Sequence, residues 1–140
     1  MRVDFYLLRN TRKTALSVCA TLCAKAYDEY HQLAVLLPES EQPGFDALLW
    51  QQPPNRFIPH GIAGHDAAVG APVVIGEIQP QVEALINLCG GDQPPPLPEQ
   101  HRIQRILEIV DDSDAARAQA RQRYRHYHQW GAELFNHEIH

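Results

Sequence analysis

Short apolar runs recur along this chain at intervals that a helix can span, and they constrain its fold more than any other feature. "VDFYLL" (3–8), "QLAVLL" (32–37) and "ALINLC" (84–89) have little polar interruption, as expected of strands buried on both faces. "RFIPHGIAGHDAAVGAPVVIGEI" (56–78) reads as strand, Gly-rich loop and strand, and "RILEIV" (105–110) as a strand with a helix as the alternative. Between the first two runs lies "KTALSVCATLCAKAYDEY", where Leu16, Cys19, Cys23 and Ala26 share a helical face and Asn10 or Thr11 can cap the start. The helix around "FDALLW" (45–50) is amphipathic and stops at "QQPP", because proline cannot continue the hydrogen-bond ladder. "DDSD" opens a third helix, from about 114 to 130, with carboxylates placed to suit its dipole. Strands alternating with helices predict an α/β fold: a single Rossmann-like three-layer domain over 1–140, with a mostly parallel sheet, helices on both faces and the first strand central. A chain of 140 residues is long enough for one real core.

Such folds bind nucleotides at loops that follow strands, but the usual signatures are missing. The loop "RNTRKT" after the first strand has no glycine, and neither a phosphate-cradling G-x-x-x-x-G-K-[ST] nor a G-x-G-x-x-G opens any helix. "GIAG" (61–64) has two glycines three apart, a weak signal, and the larger stretch "GIAGHDAAVGAP" (61–72) is better read as a flexible loop. The eight histidines form no H-x-x-x-H or H-E-x-x-H spacing, and His126 and His128 point apart on a helix. Cys19, Cys23 and Cys89 have no C-x-x-C spacing, so the first two read as small buried hydrophobes and no disulfide framework is expected. No catalytic set assembles and no cofactor or metal is implied. The start "MRVDFYLLRN" does not read as a secretory signal, and no apolar stretch nears the roughly 18–20 residues of a membrane helix, so a cytoplasmic protein is expected.

The formal net charge of −5 is unevenly spread. Residues 41–116 carry three Lys/Arg against eleven Asp/Glu, whereas 117–140 carry four arginines against two acids. On a helix turning 100° per residue, Ala116, Ala120 and Tyr127, with Leu134 beyond the helix, form a stripe that should pack on the sheet. Arg117, Arg121, Tyr124, Arg125 and His128 form another, and Arg123 points nearer the packed face. Three readings of the basic stripe stand side by side. It can be a solvated face near the acidic middle of the chain, a nucleic-acid contact, or a docking surface for an acidic protein partner. Arginine forks beside an aromatic suit a carboxylate and an apolar side chain together.

"FYLL", "LLWQQPPNRFIPHGIAG" (48–64), "GAPVVIG" (70–76), and "ILEIVDD" followed by "ARQRYRHYHQWG" together run nearly end to end. Through them the chain resembles the chi subunits of bacterial DNA polymerase III, clamp-loader accessory proteins; the W-x₆-F-x-P-H-x-x-A-G tract from Trp50 to Gly64 is the most specific part. The resemblance implies a non-catalytic bridge in DNA replication. One partner would be the psi subunit, at Trp50 and Phe57, a surface that also serves a helicase-like partner in some members. The other would be the acidic C-terminal tail of single-stranded DNA-binding protein, which ends in phenylalanine, at Val110, Arg117, Arg121, Tyr124 and Arg125. The resemblance thus implies no direct DNA binding; the alternative is a single-stranded nucleic-acid module built on the basic helix. From the residues alone, Trp50 and Phe57 read as closing the core beneath their loop, a reading that exposure of either would reverse.

Overall fold

The first strand, β1 (Arg2–Leu8), sends its side chains alternately to two faces and so sets up both halves of the core. The computed structural model describes residues 1–52, 54 and 56–140. After β1 come α1 (Ala15–Glu29), β2 (Leu33–Leu36), α2 (Gln42–Gln51), β3 (His60–Ile62) and β4 (Val73–Ile75). The chain continues through β5 (Ala84–Asn87), β6 (Arg105–Val110), α3 (Asp114–Gln129) and β7 (Glu133–Ile139). All seven strands form one parallel sheet in the order β3-β4-β2-β5-β6-β1-β7. The apolar run at 105–110 is therefore a strand, and the sheet is wholly rather than mostly parallel.

Helices cover both faces. α1 and α2 pack on Tyr6, Leu8, Val35, Ile75, Ile86 and Leu107 through Cys19, Cys23, Phe45 and Leu49. α3 covers the other face, packing Ala120 and Tyr127 on Val3, Phe5, Leu85, Ile106 and Val110. Both α1 cysteines are buried as expected; burial pushes the Cys23 thiol up to about 12 and the Cys19 thiol well above its ordinary value. Neither is poised for thiolate chemistry.

Three local expectations are corrected. Thr14, not Asn10 or Thr11, caps α1, its hydroxyl accepting from the Ser17 N–H at 3.1 Å. Thr11 is used instead in a local turn to the Lys13 N–H, and the Asn10 N–H donates to Asp112 from a left-handed backbone (φ 46°). β1 is not central: it lies one strand from the edge, because the tail "ELFNHEI", which offered no clear strand signal, folds as β7 beside it. The end of α2 falls at Gln51 as expected, while Pro53 of the "QQPP" stop lies outside the described residues.

The topology leaves a crevice. The connection from β1 through α1 crosses β6 and β5 to reach β2 on one face; that from β6 through α3 crosses β1 to reach β7 on the other. The chain thus parts at the carboxyl ends of β1 and β6, where open α/β sheets characteristically hold ligands. Here the Asn10–Asp112 hydrogen bond joins the two departing loops. The "GIAG" stretch is not wholly a loop: Gly61 and Ile62 belong to β3, and a Cβ on Gly61 would stand 2.3 Å from the Ala68 nitrogen, so the turn at Asp66–Ala68 could not pack there.

Candidate functional site

α3 begins at Ser113, whose hydroxyl accepts from the Ala116 N–H at 3.1 Å, and this cap orients every basic side chain that follows. Its far side is fixed by a buried cluster. Arg123 donates to Glu108 at 3.2 Å and to the Gly91 carbonyl, and the Tyr127 hydroxyl donates to Glu108 at 2.6 Å. Asn87 adds two donor contacts to the same carboxylate. Burial pushes the Glu108 carboxyl up from its ordinary value, against the pull of Arg123, Tyr127 and Asn87. Arg123 is thus structural, on the packed side of the helix as its position in the helical turn implies.

The opposite side of α3 leaves a cavity of about 420 Å³ against the sheet. Phe5 and Leu7 of β1 make its floor with Ala120, whose methyl group lets helix and strand come close. Tyr124 lines one side, its ring 5.6 Å from that of Phe5. Arg117 and Arg121 rise from α3, Arg9 follows β1, and Asn136 and Glu138 project from β7. The β1–β7 register sets Phe5 beside Asn136 and Leu7 beside Glu138, so the last strand supplies the polar wall. The result is an apolar trough rimmed by guanidinium groups, a shape that accepts an apolar side chain next to a carboxylate.

The expected residues are distributed unequally around it. Arg117, Arg121 and Tyr124 line the cavity. Arg117 is already engaged, pairing with Asp112 at 2.5 Å and Asp114 at 2.8 Å; the hydrogen bonds it donates to these carboxylates raise its pKa. Arg121 is exposed and makes no ion pair among the described residues. Val110, expected among the tail-binding residues, is 2% exposed and packs in the core beneath, because the strand ends facing inward under α3. Arg125 is exposed outside the cavity lining, with one long contact to Gln122 at 3.5 Å, and His128 is exposed farther along the helix. Helical spacing placed Ala120 on the sheet-facing stripe but could not supply Phe5, Leu7, Arg9, Asn136 and Glu138, which lie on or after other elements. The alternation of β1 could have supplied Phe5 and Leu7, since both share the face of Val3.

The aromatic pair occupies a second surface. Leu49 and Ile58 are fully buried, which turns their chain neighbours Trp50 and Phe57 outward, 49% and 69% exposed. The two rings stand 5.5 Å apart, and Trp50 rests at 4.1 Å on the ring of His60. His60 is itself anchored to the carbonyls of Ile58 (2.6 Å) and Asp46 (3.0 Å). Trp50 and Phe57 therefore do not close the core; Phe45 and Leu49 do. An exposed aromatic pair in mutual contact is the composition of a binding surface.

Comparison with known proteins agrees with the tracts that carry the resemblance. The family profile described as "DNA polymerase III chi subunit, HolC" matches residues 1–135. The DNA polymerase III subunit chi of Pseudomonas aeruginosa is 32% identical over 143 residues, covering 99% of this chain and 96% of that relative. The subunit chi of Haemophilus influenzae is 27% identical, covering 87% of this chain and 86% of its own length. That of Escherichia coli is also 27% identical, covering 93% and 92%. Among the described residues no helix is long and apolar enough to cross a membrane, and no group of three or more His, Cys, Asp or Glu could hold a metal ion.

Proposed function

The chain belongs to the DNA polymerase III chi subunit family, a replication accessory family, and from that premise we propose that it is a non-catalytic bridge between two protein partners. One partner is the acidic C-terminal tail of single-stranded DNA-binding protein, received in the cavity beside α3. The other is the psi subunit, received at Trp50 and Phe57, through which the protein joins the clamp loader.

The observation that carries this reading is the apolar trough rimmed by Arg121, Arg117 and Arg9. A peptide that ends in phenylalanine offers an apolar ring and a free carboxylate a few ångströms apart, and the trough matches both. Phe5, Leu7 and Tyr124 receive the ring. Arg121, free of an internal ion pair among the described residues, takes the carboxylate as a charge-assisted fork. Arg117, shared with two aspartates, and Arg125, outside the trough, act on the upstream aspartates and mainly set the association rate and its salt sensitivity. A grip on bare single strands fits less well, since one of the arginines is already neutralised and the whole chain is acidic.

The test is calorimetric titration of an acidic tail peptide into the wild type and Arg121→Ala. The reading expects a loss of about 2 kcal/mol or more, as for an anchor residue. Unchanged affinity in the variant contradicts it.

A further inference from the structure

We infer that Arg9 is a second reader of the ligand's terminal carboxylate, and that Glu138 holds it in reserve by standing where that carboxylate would act; the inference rests on the trough being the tail-binding site. Arg9 sits at the carboxyl end of β1, and its backbone N–H donates to the Ile139 carbonyl at 2.9 Å, which fixes it beside the end of β7. Its Nε lies 3.4 Å from Glu138 as an ion pair but is too poorly aligned for a hydrogen bond, and it is buried without a hydrogen-bond partner. Its terminal nitrogens make no hydrogen bond among the described residues, and the side chain lines the same cavity as Arg121. A buried guanidinium nitrogen left unsatisfied by its nearest carboxylate marks a cation whose partner is incomplete.

Glu138 is the anomaly of the site. A carboxylate in the wall of a cavity suited to an acidic peptide repels the ligand, yet it is also the one acid that forms an ion pair with Arg9 among the described residues, Asp112 lying within its electrostatic reach but not paired with it. Both facts follow if Glu138 imitates the ligand, holding Arg9 toward the trough until a better carboxylate arrives. The two oxygens of a peptide terminus then serve Arg121 from the helix side and Arg9 from the strand side. The arrangement favours a chain end over an internal aspartate, because a side-chain carboxylate in mid-peptide brings a continuing backbone that the floor of the trough has to accommodate.

Two synthetic acidic peptides ending in phenylalanine, one with a free carboxylate and one with a C-terminal amide, test this against wild type, Arg9→Ala and Glu138→Gln. The wild type is expected to bind the acid more tightly than the amide. Arg9→Ala should lose about tenfold for the acid and almost nothing for the amide, as deletion of one charge-assisted hydrogen bond predicts. Glu138→Gln should gain roughly two- to fivefold for the acid. Equal losses for both peptides in Arg9→Ala, or no gain in Glu138→Gln, overturn the role of this pair while Arg121 remains the anchor. Failure of the wild type to bind either peptide overturns the tail-binding reading itself, and the two failures are told apart by that first titration. A Glu138→Gln variant loses no cation and no apolar contact, so the result does not depend on how well Arg9→Ala folds.

Discussion

Asp4 and Glu108 occupy adjacent strands, are both wholly buried, and are handled in opposite ways. Burial alone would raise the Asp4 carboxyl, but hydrogen bonds from Arg2, His137 and Arg105 outweigh it and hold the pKa below the ordinary carboxylate value. A carboxylate whose folded pKa is depressed contributes stability that is complete above its unfolded pKa, about 3.9, and is lost as pH falls through the lower folded value. Denaturant melts of wild type and Asp4→Asn should therefore differ fully at about pH 5 and above, and the gap should narrow as pH falls below about 3.9. A gap independent of pH would mean that the Asp4 charge is not what its neighbours hold. At Glu108 the question is pairing rather than titration. Arg123→Ala removes its cation and leaves a buried carboxylate, so a loss of about 3–5 kcal/mol is expected in the same melts. The inward placement of Arg123 and Tyr127 was legible from helical spacing alone. Arg9 was not, because its significance depends on Glu138, and nothing in the local sequence links positions 129 residues apart.

α3 and β7 show where reading the sequence succeeds and where it stops. The helix announces itself through its cap and its two stripes. Ser113→Ala should cost about 1 kcal/mol and weaken tail binding only through that loss of order, a difference visible as a shifted melt with a nearly unchanged peptide affinity at low temperature. β7 gave no comparable signal, since "ELFNHEI" mixes Asn, His and Glu into both faces and its outer edge has no partner strand among the described residues. It becomes a strand because β1 offers an unpaired edge, and pairing from Arg2↔Glu133 to Leu8↔Ile139 satisfies that backbone. The missed strand also explains the missed half of the trough, as Asn136 and Glu138 belong to it. The Gly-rich stretch was legible as a loop only beyond Ile62, since Gly61 belongs to β3, and the reason for glycine at 61 lies in packing. Gly61→Ala should cost about 1–3 kcal/mol in thermal unfolding, because the new methyl group meets backbone that has little room to yield.

The two candidate surfaces lie near opposite edges of one sheet, the trough against β1 and β7 and the aromatic pair beside β3. Six strand spacings separate those edges, roughly 25–30 Å, so two partners can be held at once without sharing residues. Trp50→Ala should accordingly weaken capture of psi while leaving tail-peptide affinity within about 0.5 kcal/mol of wild type, as distant sites do. Apolar periodicity made the layered α/β architecture legible, whereas the trough required the end of the chain to return beside its beginning. The division into a basic helix on an acidic body also takes on a physical meaning here. It favours a short acidic segment at one place over a polyanion along the whole surface. The most direct test is calorimetric titration of the intact protein with the acidic tail peptide and with the same peptide lacking its final phenylalanine. The first peptide is expected to bind and the second to lose binding. Equal binding of both peptides would contradict it.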